Sequence, residues 1–245
     1  MPLNKATLAI IIAAIPLLLA GFNALTVFSN PDNKILKVAV LIDFLKAIVS
    51  PIVDELREVY SIVSGEVEPH SFTLTPEVIQ IARDSDLIVV TGHIIWEEEL
   101  VRQTAEVKGA SSDLISINIM NLDGIKILSL NGDRNIHGFW LLPDNALIIA
   151  REVKEKLSAL KPELSEELSD NYERFREEIF SLKNFLNNLS SKYGSHNRSV
   201  VIGFHAEQYV TEAMGLKVGS MLIGEEEEVR PASLRRISKQ TKARG

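Results

Sequence analysis

The sequence contains no cysteine. This absence excludes disulfides, thiolate metal ligands, a thiol nucleophile and a lipid-modified cysteine. Any metal site must therefore be built from histidine and carboxylate side chains. A basic charge excess is also missing, because 33 acidic residues outnumber 26 basic ones and give a net charge of −7. Since general nucleic-acid binders usually present a basic face, we expect no nucleic-acid partner.

Glycine and proline are scarce as well, with 13 and 9 residues, whereas hydrophobic residues make up 46% of the chain. This composition excludes the collagen-like, low-complexity and disordered classes. The 245 residues suit one large domain or two small ones with a substantial core.

The N-terminus carries the one long apolar run, residues 8–27, which follows Lys5. A basic start before an apolar run predicts a secretory signal peptide or a signal anchor, which we assign to residues 1–29. The run is long enough to span a bilayer as a retained anchor. Alternatively, it is a signal peptide that is cleaved after Ser29. A buried core helix is the third alternative, although the run has no polar face. Both targeting interpretations predict an extracytoplasmic protein, either secreted or held at the membrane by this segment.

From residue 35 onward, short apolar runs typical of buried parallel strands alternate with segments of helical spacing. The pattern predicts strands over residues 35–42, 86–91, 114–119 and 125–130, and helices over residues 44–60, 75–84 and 96–107. Such alternation is typical of a mostly parallel sheet. Residues 35–143 are therefore predicted to form an N-terminal α/β lobe.

A helical connection is predicted next, over residues 144–194. It contains a helix over residues 144–160 and a longer one over residues 164–193, which has a single apolar stripe and stops at Gly194. Residues 195–245 resume the alternation with strands at 199–203 and 216–220 and helices at 206–214 and 233–239. The predicted fold class is α/β, with two α/β lobes joined by one long backbone helix and a second lobe that is incomplete.

Three of the five histidines, His70, His137 and His205, lie in loops beside predicted strands or helices. Ligands of open α/β sheets bind at the carboxyl ends of strands, and imidazole is the commonest metal ligand. Three imidazoles and one oxygen suit tetrahedral Zn²⁺. Such long separations form no metal motif, so spacing alone favours unrelated loop histidines over a metal site. His93 also follows a strand, but an ordinary loop role is favoured for it.

The strings around these three histidines carry more information. They read Glu-Pro-His-Ser-Phe-Thr-Leu-Thr-Pro-Glu (68–77), Asn-Ile-His-Gly-Phe-Trp-Leu-Leu-Pro-Asp-Asn-Ala (135–146) and Gly-Phe-His-Ala-Glu-Gln-Tyr (203–209). Further strings are Ser-Asp-Leu-Ile-Val-Val-Thr-Gly (85–92), Gly-Leu-Lys-Val (215–218) and Pro-Ala-Ser-Leu (231–234). Taken in their order along the chain, over about residues 35–240, the six strings resemble the metal-binding solute receptors of ABC importers, which are extracytoplasmic zinc and manganese receptors.

The resemblance implies a binding protein and not an enzyme, with His70, His137 and His205 as its metal ligands. A histidine in the third position is typical of zinc receptors, so Zn²⁺ is favoured and Mn²⁺ is the alternative. The implied partners are the divalent metal ion, the membrane subunits of the importer and, if residues 1–29 are uncleaved, the membrane. The family's fourth ligand, an aspartate, lies beyond the last residue here, and Glu207 is a weaker substitute.

Two other functions compete with the receptor. A three-histidine zinc site with bound water is also the arrangement of a hydrolase-type metalloenzyme. No helical His-Glu-x-x-His motif and no general-base motif accompany the histidines, which disfavours this alternative. The second alternative is a non-functional truncated fragment.

Overall fold

A computed structural model describes residues 36–53, 58–65, 67–130, 132–194 and 198–222. The predicted signal segment at residues 1–29 and the predicted helix at residues 233–239 lie outside these ranges, as does His196. Within the described ranges, no helix is both long and apolar enough to cross a membrane.

A four-stranded parallel sheet forms the centre of the first lobe. Its strands are β1 (Lys37–Ile42), β2 (Glu58–Val63), β3 (Leu87–Val90) and β4 (Ser116–Asn118), arranged in the order β2-β1-β3-β4. All three pairings are parallel. Every residue of β3 is buried, as expected for a continuous apolar run in the middle of a parallel sheet. The predicted α/β class is confirmed.

Four helices accompany this sheet, namely α1 (Asp43–Val53), α2 (Pro76–Asp84), α3 (Ile95–Lys108) and α4 (Ser112–Ile115). The start of α2 follows the predicted capping chemistry, because the Thr75 side chain accepts a hydrogen bond from the Val78 amide. Pro76 occupies the first helical position, where its missing N–H has no consequence.

The predicted helix over residues 44–60 is wrong in its last part. Residues 58–63 instead form β2, which pairs with β1 and buries Ile62 and Val63. The segment Glu-Val-Tyr-Ser-Ile-Val is rich in β-branched and aromatic residues, which fit a pleated surface. Pairing with β1 therefore outweighs the helical spacing of the apolar residues.

An antiparallel hairpin follows the sheet in the chain. It is formed by β5 (Leu128–Leu130) and β6 (Asp133–Asn135). The predicted strands at 114–119 and 125–130 are shorter in the structure, where they correspond to β4 and β5. We did not predict β6, because Asp-Arg-Asn has little intrinsic preference for a strand. The hairpin ends at Asn135, two residues before His137.

Two long helices follow, α5 (Pro143–Leu160) and α6 (Ser165–Tyr193). α6 has 29 residues and ends at Gly194, whose φ of 63° is the left-handed conformation typical of a helix stop. Buried Leu168 and Phe175 lie on its apolar stripe, and the Asn171 side chain donates a hydrogen bond to the Ile52 carbonyl at 2.9 Å. The prediction of one long helix is confirmed, and α6 is anchored to α1.

The last described elements are β7 (Ser199–Ile202), α7 (Glu207–Ala213) and β8 (Lys217–Met221), in which β7 and β8 pair in parallel. α7 packs towards the hairpin of the first lobe. Lys126 and Glu212 form an ion pair at 2.7 Å, and Tyr209 is fully buried. These contacts place the loop before α7, which contains His205, near the loop that contains His137.

Candidate metal centre

A cleft of about 930 Å³ lies where the loops after β1, β2 and β3 meet the loops before α5 and α7. Four of the five histidines line it: His70, His93, His137 and His205. The first-lobe wall is formed by residues just beyond the carboxyl ends of parallel strands, which is the usual ligand position in such sheets. Three of these four histidines were predicted as site residues.

Three imidazoles form a tight cluster inside the cleft. One ring nitrogen each of His70, His93 and His137 lies within 4.8 Å of the other two. The ring centroids are separated by 5.4 Å for His70–His93, 5.4 Å for His70–His137 and 5.1 Å for His93–His137. Ligand nitrogens of tetrahedral zinc are roughly 3.3 Å apart, so these nitrogens need to approach one another by about 1.5 Å at most.

His205 lies at the edge of this cluster. Its ring centroid is 5.9 Å from that of His137, and the two ring planes are tilted by 52°. The structure thus brings predicted residues His70 and His137 together, places His205 beside His137, and adds His93. The sequence signal for His93 was its position directly after β3, whose carboxyl end faces the same cleft.

The loop that carries His93 is held by the buried carboxylate of Glu97. This carboxylate accepts hydrogen bonds from the Thr91 amide and hydroxyl and from the amides of Gly92 and Ile94, over distances of 2.5 to 3.1 Å. Burial raises the pKa of Glu97 above its ordinary value, although these hydrogen bonds oppose the shift. Gly92 has a φ of 87°, and a Cβ there would lie 1.9 Å from Asn118 Oδ1. The conformation of this loop is therefore tightly specified.

The His93 ring is packed and has an unused nitrogen. It stacks on Trp140 with a centroid distance of 6.1 Å and an interplanar angle of 23°. Its Nδ1 is buried and has no hydrogen-bond partner among the described residues. Burial, followed by the nearby His137 and His70, lowers the pKa of His93 to about 4. His93 is thus neutral at physiological pH, which is the form of imidazole that ligates metals.

The backbone at His70 is tied to the start of α3. Pro69–Ser71 form a single 3-10 turn, in which the Glu68 side chain accepts a hydrogen bond from the His70 amide at 3.1 Å. Trp96 Nε1 donates a hydrogen bond to the Pro69 carbonyl at 2.8 Å. Although His70 itself is exposed, this bond connects its turn to the helix that follows His93.

Asn135 connects the segments of His137 and His205. Its Nδ2 donates to the His205 carbonyl and to Gln208 Oε1, both at 2.8 Å, while its Oδ1 accepts from the His137 amide at 3.2 Å. The Tyr209 hydroxyl donates to the Asn135 carbonyl and accepts from the Leu128 amide. The sequence interpretation missed Asn135, whose only signal was its position two residues before His137.

Close backbone packing brings the same two segments together. Gly138 has a φ of 81°, and a Cβ at this position would lie 2.6 Å from the Cβ of Ala206. Only glycine fits this approach without displacing the neighbouring chain. The weaker candidate Glu207 accepts a hydrogen bond from the Gly203 amide at 2.6 Å, so its carboxylate caps the end of β7. Among the described residues, the clustered ligand atoms all come from imidazoles.

The chain is similar to known proteins in sequence. The family model described as "Zinc-uptake complex component A periplasmic" (ZnuA) matches residues 38–245. The manganese-binding lipoprotein MntA of Halalkalibacterium halodurans is 24% identical over 238 residues, which cover 96% of this chain and 77% of the relative. The iron-binding protein YfeA of Yersinia pestis is 26% identical over 193 residues, which cover 77% of this chain and 60% of the relative.

The fold also matches a crystal structure of ZnuA. The TM-score is 0.68 at 18% identity, and the match covers 85% of this chain and 78% of that chain. At this identity the likeness concerns the fold alone.

Proposed function

Because the chain belongs to the family of zinc-uptake complex component A, the metal-binding solute receptors of ABC importers, we propose that it captures Zn²⁺ in preference to Mn²⁺. Members of this family are solute-binding proteins and not enzymes, so the resemblance seen in the sequence and the predicted absence of catalysis are confirmed. The observation that supports the choice of site is the approach of the His70 and His137 rings to 5.4 Å in one cleft.

The proposed ligands are His70, His137 and His205. Imidazole nitrogen suits zinc, whereas manganese prefers carboxylate and water oxygens. The clustered imidazoles and the bonded state of Glu207 therefore favour zinc for this chain. The names of the two relatives mention manganese and iron. The preference for zinc therefore rests on the ligand side chains of this chain and not on these relatives.

Both lobes contribute ligands to the captured ion. We assign residues 35–143 to the first lobe, residues 144–194 to the helical connection and residues 195–245 to the second lobe, with residues 1–29 directing export or anchoring. His70 belongs to the first lobe and His205 to the second, so the ion is held between them. α6 packs along α5 and α1, so we expect it to limit hinge motion between the lobes. Small shifts of the ligand loops then release the ion to the membrane subunits of an importer.

A calorimetric titration of the full chain with zinc and with manganese tests this function. We expect one zinc ion per chain, bound more tightly than manganese, and loss of zinc binding in His70→Ala and His137→Ala. His196→Ala is the matched control, because His196 belongs to none of the proposed ligand segments, and it should bind zinc normally. Absence of metal binding by the unaltered chain, or normal binding by both ligand variants, would overturn the proposal.

A further inference from the structure

We propose that His93 is a fourth ligand of the captured ion, which is then held by the imidazoles of His70, His93, His137 and His205. This inference rests on the proposed function, since it concerns the same ion. It adds a ligand from the loop after β3 and makes the complete donor set nitrogen.

The distances place His93 inside the site. Its ring centroid is 5.1 Å from that of His137, closer than the 5.9 Å between His205 and His137. One nitrogen of His93 lies within 4.8 Å of ligand atoms on both His70 and His137. The His93 ring therefore meets the geometric requirement for a ligand at least as well as His205 does.

An unused nitrogen supports the same assignment. Buried nitrogens that lack a hydrogen-bond partner are rare in folded proteins and require an explanation. His93 Nδ1 is buried without such a partner among the described residues, in a ring that lines the cleft. Coordination of an ion by His93 would explain why a polar ring is placed there.

The loop and the ring of His93 are held by surrounding groups, as is typical of a metal ligand. Glu97 accepts four hydrogen bonds from residues 91, 92 and 94, and the Trp140 ring stacks on the imidazole at a centroid distance of 6.1 Å. Groups that surround a ligand and orient it raise metal affinity, because less freedom is lost on binding. Glu97 and Trp140 act here as positioning residues for His93.

Among the described residues that line the cleft, the two with acidic side chains, Asp43 and Glu68, already accept other hydrogen bonds. Asp43 accepts a hydrogen bond from the Gly65 amide at 2.8 Å and pairs with Lys46 at 3.0 Å. Glu68 accepts from the His70 amide at 3.1 Å. A four-imidazole set without a carboxylate selects zinc over manganese, because manganese is poorly served by neutral nitrogen donors.

X-ray absorption of the zinc-loaded full chain counts the imidazoles directly. We expect four in the unaltered protein and three in His93→Ala, with zinc affinity reduced at least tenfold. His93→Gln keeps a side chain of similar length and should also show three imidazoles, as His93→Ala does. Circular dichroism checks that both variants fold. His93→Asp should raise manganese affinity relative to zinc affinity at least tenfold. His196→Ala should leave the ligand count and both affinities unchanged.

The outcomes separate the two proposals. If zinc binds to His93→Ala and His93→Gln with unaltered affinity and ligand count, His93 is not a ligand, while the receptor function stands. If the unaltered chain binds no zinc, the receptor function itself fails. Three imidazoles in the unaltered protein together with loss of one in His205→Ala but none in His93→Ala would also overturn the assignment.

Discussion

Asn135 donates a hydrogen bond from Nδ2 to the His205 carbonyl at 2.8 Å, while its own Oδ1 accepts from the His137 amide. One buried amide thus fixes the separation between two ligand segments that are far apart in sequence. The side chain is 2% exposed, so water cannot replace these bonds easily. Asn135 is therefore a positioning residue for both His137 and His205.

Replacement of Asn135 by alanine should uncouple the two segments. We expect a loss of about 1–3 kcal/mol in the free energy of unfolding, because the partly buried His137 amide and His205 carbonyl lose their partner. Zinc affinity should also fall, since His205 is no longer held beside His137. Urea unfolding and calorimetric zinc titration measure the two effects.

The matched control for this variant is Ser129→Ala, because Ser129 contributes only its backbone carbonyl to the same region, as acceptor from Gln208. It should change neither stability nor zinc affinity appreciably. Unaltered zinc binding by a destabilised Asn135→Ala would show that Asn135 is structural and does not position the ligands.

Gly138→Ala should weaken zinc binding through a steric effect. The added Cβ would lie 2.6 Å from the Cβ of Ala206, so the loop that carries His205 must move away. Gly109→Ala is the control for backbone strain, because Gly109 has a φ of 61° but no atom within 4 Å of the added Cβ. We expect the left-handed conformation alone to cost about 1–2 kcal/mol of stability at Gly109, with no effect on zinc affinity. Equal zinc affinities of the two variants would contradict the steric argument.

The buried carboxyl of Glu97 predicts a specific pH dependence of stability. Burial raises its pKa in the folded protein above the ordinary value of 4.5, so folding favours the protonated form. The corresponding stabilisation is complete below pH 4.5 and is lost as the pH rises through the folded pKa. Relative to Glu97→Gln, which cannot titrate, the unaltered protein should therefore lose stability across this acidic range.

Urea unfolding of metal-free protein between pH 4 and pH 7 measures this difference. Glu98→Gln is the matched control for the loss of one acidic side chain, because Glu98 is exposed on the same helix turn. A constant stability difference between the unaltered protein and Glu97→Gln over the whole range would be inconsistent with a raised pKa.

Much of the first-lobe sheet could be predicted from the sequence because β1 and β3 are buried along almost their whole length. The continuous apolar runs at β1 and β3 and the capping residues of α2 are local signals that survive folding. The segment of β2 was predicted as helix because its apolar residues have helical spacing. Its strand conformation depends on pairing with β1, which that local spacing does not reveal. β6 was missed because Asp-Arg-Asn is held as a strand only by its partner β5.

The site divides in the same way. His70 and His137 lie in strings with a characteristic order of residues, so they were predicted from the sequence. His93 lies in no such string, and its position depends on where β3 ends within the sheet. The roles of Asn135 and Tyr209 arise from contacts between residues that are 70 and 74 positions apart, which no local pattern encodes.

The Trp96 indole predicts a measurable link between α3 and the turn that carries His70. Trp96→Phe removes the hydrogen bond from Nε1 to the Pro69 carbonyl but keeps an aromatic ring against Phe72, whose centroid lies 5.1 Å away. We expect a stability loss of about 1 kcal/mol beyond the loss of ring volume, together with weaker zinc binding, because the His70 turn becomes less ordered. Unfolding by urea and zinc calorimetry provide both values.

Trp140→Phe is the matched control for that hydrogen bond. Its Nε1 is buried without a hydrogen-bond partner among the described residues, so the same atoms are removed without breaking such a bond. Phenylalanine also keeps an aromatic face towards His93. The stability loss in Trp140→Phe should therefore be smaller than in Trp96→Phe. An equal or larger loss in Trp140→Phe would mean that ring volume, and not the bond to Pro69, accounts for the contribution of Trp96.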